Sequence, residues 1–112
     1  MRFGWRSILV LTAVAFAVAC TSPTLPLPPP AAPTESAGTQ PGTVTLSGVG
    51  AEPGAFIDVH NLNPNANPPL VGTIVGQDGK WSVLVFAVKG DVVQIWQESG
   101  GEESSSIDFT IQ

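Results

Sequence analysis

The sequence predicts an all-β fold, a small antiparallel β-sandwich behind a non-globular N-terminal third. Three observations predict it. From Gly42 onward apolar residues recur with a period of two, and no ten-residue segment carries a helical stripe. Clusters of Gly, Pro, Asn and Asp separate these runs at short, regular spacing. Before Gly42 the composition changes, with seven of the eleven prolines in residues 21–41.

The chain of 112 residues allows one small domain. With about 70 residues left for a core, it lies near the lower limit for a self-sufficient fold. A single cysteine excludes an intrachain disulfide, so stability rests on packing and sheet hydrogen bonds. Charge is unevenly spread. Arg2 and Arg6 lie at the N-terminus, and after Cys20 only Lys80 and Lys89 stand against nine acids, a balance of −7. Phosphate backbones repel such a surface, and no basic run interleaved with aromatics exists, so nucleic acid is excluded as a partner.

The elements follow in order. Residues 1–6, MRFGWR, carry two arginines and no acid; residues 7–19, SILVLTAVAFAVA, carry no charge. This is the n-region and h-region pattern of a secretory signal. The run is shorter than the roughly 20 residues a membrane span needs, and prolines from Pro23 onward prevent its extension as helix. Ala17-Val18-Ala19-Cys20 ends it. These four residues resemble a bacterial lipobox, with Ala17 where leucine is commonest. The resemblance implies cleavage between Ala19 and Cys20 and lipidation of Cys20, which makes the lipid bilayer a partner. Ordinary cleavage after Ala19 would instead leave a free thiol on the new N-terminus. Thr21 stands where the inner-membrane retention signal of Gram-negative lipoproteins has aspartate, so there the resemblance implies an outer-membrane address, in the periplasm or on the cell surface; in a Gram-positive cell the feature carries no such meaning. One buried acyl chain holds only marginally, whereas two or more hold stably.

Residues 20–41 read as the lipidated cysteine plus a disordered, proline-rich tether. With one charge, Glu35, and no aromatic, the stretch buries too little apolar area to offset its ordering entropy. Extended as polyproline II, it would reach roughly 60 Å.

Residues 42–112 read as the sandwich. TVTLSG points Val44 and Leu46 inward; AFIDVHN points Ala55, Ile57 and Val59 inward and Phe56, Asp58 and His60 outward. NLNPNANPP is a loop, LVGTIVG a short strand, and Asp78-Gly79 a hairpin turn. WSVLVFAV scarcely alternates, as in a strand covered on both faces. VVQIWQE sets Val93 and Ile95 against Val92, Gln94 and Trp96, and SSSIDFTIQ points Ile107, Phe109 and Ile111 inward.

SGVGAEPGAFIDVHN followed by VGTIVGQDGKWSVLV resembles the bacterial immunoglobulin-like domains of adhesins and other surface proteins. The resemblance covers roughly residues 43–112 and implies an immunoglobulin-like sandwich serving as a non-catalytic binding or structural module. It departs from the pattern in being a single copy and in carrying DVVQIWQES where a later aromatic-rich strand is usual. An unknown envelope protein or glycan is the implied partner.

The residues themselves offer few sites. His60 is the only histidine, and no GxSxG occurs. Asp58 and His60 share a strand face, two groups where zinc wants three or four, so no metal or cofactor is expected. Glu98, Glu102 and Glu103 cluster at the last turn and read as a solvated acidic turn. Trp81 is in phase with Val83 and Val85 and reads as core. Trp96 lies on the opposite face from Val93 and Ile95 and, with Phe56, is the candidate ligand-facing aromatic, through which a carbohydrate-binding module would stack on glycan.

Overall fold

The computed structural model describes residues 26–112. The expected signal segment, the expected cleavage site at Ala19 and the expected attachment point Cys20 lie outside the described residues. Among the described residues the strands are β1 (Thr34–Ala37), β2 (Thr43–Gly48), β3 (Phe56–Asn61), β4 (Leu70–Ile74), β5 (Trp81–Phe86), β6 (Val92–Ser99), β7 (Glu102–Glu103) and β8 (Ile107–Thr110). They form two antiparallel sheets. The smaller has the order β1-β2-β5; the larger has the order β4-β3-β6, with β7 and β8 both pairing with β6. The chain changes sheet between β2 and β3, between β4 and β5, and between β5 and β6. The all-β sandwich expected from the period-two pattern is the fold observed.

Each sheet turns one apolar face inward. Leu46, Ile57, Val59, Val85, Val93, Ile95 and Ile111 are all but sealed from solvent, and Val44, Val71, Ile107 and Phe109 pack around them. Burying an aliphatic side chain of this size contributes about 1.5–3 kcal/mol. Trp81 lies in this core, and its indole rests on Gly48, its cross-strand partner, where any Cβ would collide with the ring.

Four features differ from the sequence expectation. The sheet begins at Thr34, inside the proline-rich stretch. TESA becomes β1 because β2 offers it an open edge, pairing Thr34 with Ser47 through to Ala37 with Val44. The proline-rich residues before β1 are also engaged: Pro30 and Pro33 are buried. The Asp78-Gly79 turn exists, with Gly79 at φ 78°. It hands the chain from one sheet to the other instead of closing a hairpin, because β4 pairs with β3 and β5 with β2. Finally, β5 does alternate. Trp81, Val83 and Val85 are buried, while Ser82 is exposed and Leu84 and Phe86 are half-buried on the outer face.

Gln97 explains how the proline-rich segment is held. It follows Val93 and Ile95 on the inward face of β6 and is 2% exposed. A buried amide must be hydrogen-bonded or its desolvation goes uncompensated. Its Oε1 accepts the Glu52 amide at 3.1 Å, and its Nε2 donates to the Pro28 carbonyl at 2.7 Å. One side chain thus ties the β2–β3 turn to the segment entering the domain. At the other end, the Gln112 amide donates to Glu35 on β1 at 2.9 Å.

Candidate functional site

The outer face of the larger sheet gathers most of the chain's chemistry-bearing side chains. Residues Phe56, Asp58 and His60 of β3 alternate outward, as do Gln94, Trp96 and Glu98 of β6. The register sets Phe56 opposite Glu98, Asp58 opposite Trp96 and His60 opposite Gln94. On the outer side of β6, Glu98 faces Glu103 of β7 and Gln94 faces Asp108 of β8. On the outer side of β3, Asp58 faces Gly72 of β4.

Asp58 is the unusual member. It points outward yet is only 7% exposed, and its Oδ2 is sealed from solvent without a donor. A buried carboxylate oxygen in that condition is costly. The neighbouring Glu98 responds to it. Its carboxyl is held above the ordinary glutamate value, first by the hydrogen bond it makes to Asp58, then by desolvation and by the charge of Asp58; a hydrogen bond with Glu103 pulls the other way. Glu98 therefore takes up a proton more readily than an isolated glutamate, and in its acid form it can donate to Asp58.

The two candidate aromatics share this face. Phe56 is 41% exposed, and its ring lies flat over Gly72, where a Cβ would strike it. Trp96 is half-buried, and its Nε1 is sealed from solvent with no acceptor. What the face offers to an incoming molecule is therefore the Phe56 ring and the apolar side chains beside it, Leu70 at 50% and Ile74 at 68% exposure.

His60 sits on the same face with no cluster around it. Among the described residues no group of three or more His, Cys, Asp and Glu could hold a metal ion. A second polar assembly occupies one end of the sandwich. Asp91, between β5 and β6, accepts from Asn61 Nδ2 at 3.0 Å, from the Val88 amide at 3.0 Å and from Asn63 Nδ2 at 2.9 Å. These bonds, that from Asn61 foremost, hold its carboxyl below the usual aspartate value against the opposing pull of desolvation. The Asn61 and Asn63 side chains also fold the Asn-Pro loop, accepting from the Asn63 and Asn65 amides.

Sequence parity alone put Phe56 and Trp96 outward, but not the Asp58–Glu98 contact, which depends on the register between β3 and β6. Gln97 was legible in principle: a polar residue in phase with Val93 and Ile95 signals a buried amide with partners to find. Comparison with known proteins finds no matching family, no matching curated protein and no matching solved structure.

Proposed function

We propose that this protein is a lipid-anchored envelope protein, held in the bilayer through acylated Cys20, whose immunoglobulin-like sandwich is a non-catalytic binding module. The observation that carries the reading is the position of Cys20. It closes an uncharged apolar run behind two arginines, and a proline-rich segment follows at once. The clasp of Gln97 on Pro28 supports an anchor of short reach. Seven residues separate Cys20 from Pro28, so the span from lipid to domain is at most about 25 Å at polyproline rise, well short of the full 21–41 stretch. The domain then works close to the membrane surface, within reach of a protein or glycan of the envelope.

The experiment compares wild type with Cys20→Ser. Membrane partitioning and a fatty-acyl mass on the wild type, both lost in the variant, support the reading. Equal solubility and equal processing of both would overturn it.

A second reading is favoured by one observation, the shared face of Phe56 and Trp96. In it the module binds a cell-wall or extracellular glycan, with a sugar ring stacked on Phe56 and the edge of Trp96. Insoluble cell-wall glycan that retains the wild type but releases Phe56→Ala and Trp96→Ala supports this reading; equal retention of all three removes it.

A further inference from the structure

We propose that the open edge of β4 is a self-recognition site, and that it pairs antiparallel with the β4 edge of a second copy about Gly72. The backbone fixes which groups are free. In an antiparallel pair, alternate residues turn both N–H and C=O to the same neighbour. The Val75 amide donates to the Ala55 carbonyl at 2.8 Å, and the Asn61 amide donates to the Pro69 carbonyl at 2.8 Å. Residues 69, 71, 73 and 75 therefore face β3, and Leu70, Gly72 and Ile74 turn their N–H and C=O groups outward. All three are exposed, and β4 ends its sheet. No described residue hydrogen-bonds to these outward groups.

A second copy fits this edge better than an arbitrary strand. Pairing about Gly72 sets Gly72 against its own counterpart and Leu70 against Ile74 in both directions. Every free N–H meets a free C=O across the seam. On the outer face the most exposed apolar side chains of β4 then meet each other, and two Phe56 rings, each lying over its own Gly72, flank them. Facing apolar pairs of this kind stabilise an antiparallel seam.

Charge points to the same place. The chain from Cys20 onward carries −7, so two copies repel over most of their surfaces. From His60 to Gln77 there is no Asp, Glu, Lys or Arg, and β4 lies inside that neutral stretch. Most other edges carry charge: Glu35 is on β1, Glu102 and Glu103 on β7 and Asp108 on β8, while on β5 the Asn61 side-chain Nδ2 covers the outward Phe86 carbonyl. Pro68 and Pro69 limit the seam to about five residues per copy, small for an interface, so the dimer forms at high local concentration.

The test uses the register. Full-length Leu70→Cys and Ile74→Cys are made separately, mixed, and oxidised with copper phenanthroline. Across the proposed seam residue 70 of one copy lies beside residue 74 of the other, within disulfide reach. Within one strand the two positions are about 13 Å apart, as are the two copies of either position across the dimer. Any dimers linked through unacylated Cys20 appear in the wild type and in the single variants and are subtracted. The expected result is a new disulfide-linked dimer in the mixture, about tenfold above either variant alone. Adding Ile74→Pro to the Leu70→Cys chain, paired with wild-type-backbone Ile74→Cys, should abolish it, since the outward N–H is lost while the β3 ladder is kept. A mixture that links no better than the single variants overturns the proposal. So does linkage of either variant to itself at the level of the mixture, or linkage to a different protein in its place.

Discussion

Asp91 and Asp58 are acids of the same type in opposite circumstances. Asp91 stands at one end of the sandwich with three donors aimed at its two oxygens. Asp58 stands mid-strand on a sheet face, more deeply covered, with one oxygen that no ionised neighbour can satisfy. Asp91 is therefore held ionised, and its partners shape a loop. Asp58 instead holds the Glu98 carboxyl above its ordinary value. A satisfied carboxylate is a structural fastener; an unsatisfied one is a place where protonation can change the surface.

The largest effect expected from breaking this contrast is at Asp91. Asp91→Ala leaves Asn61 Nδ2, Asn63 Nδ2 and the Val88 amide without that acceptor and should cost about 2–3 kcal/mol, read as a lower urea midpoint at unchanged slope. The same carboxylate sets an acid limit. Because its folded pKa is depressed, its contribution is present above the unfolded value near 3.8 and is lost as pH falls through the lower folded value. Urea midpoints measured down to that range should fall for the wild type and change less for Asp91→Ala.

Gln97→Leu comes next. It keeps the bulk but removes the donor to Pro28 and the acceptor for Glu52, at a cost of about 1–2 kcal/mol. Limited proteolysis should then cut ahead of β1 at sites the wild type protects.

Glu98→Gln probes the other side of the contrast with a smaller effect of opposite pH sign. The folded pKa of Glu98 is raised, so its contribution is complete below the unfolded value near 4.5 and fades as pH rises through the folded value. The amide donates to Asp58 at every pH. The variant should match the wild type in mild acid and melt slightly higher at neutral pH; a Tm difference independent of pH would break the link between the two carboxyls.

Trp96→Phe should do least. It keeps a ring and deletes an N–H that has no acceptor, so thermal stability should change by less than about 1 kcal/mol in either direction.

The strands were largely legible because each carries its own pattern. TVTLSG matches β2, and the inward residues of β3 and β6 fall where period two puts them. β1 was missed because TESA has no apolar alternation; it is a strand only through the open edge of β2. The Asp78-Gly79 turn was found, but its topology was not, since a turn signal does not say which sheet the next strand joins. The candidate aromatics Phe56 and Trp96 were placed on the right face, while the Asp58–Glu98 pair beside them stayed hidden.

The amino-acid sequence by itself determined the class: alternation and turn residues permit strands and little else, and the apolar core follows from them. It also carries the export-like N-terminus and the single cysteine, because those are local properties of composition. Only the tertiary structure decided that Gln97 clasps Pro28, that Asp58 lies beside Glu98 and raises its pKa, and that β4 keeps an open, uncharged edge. Each depends on which strands lie side by side and in what register. Register is set by the simultaneous burial of both sheets, which no single stretch of sequence contains.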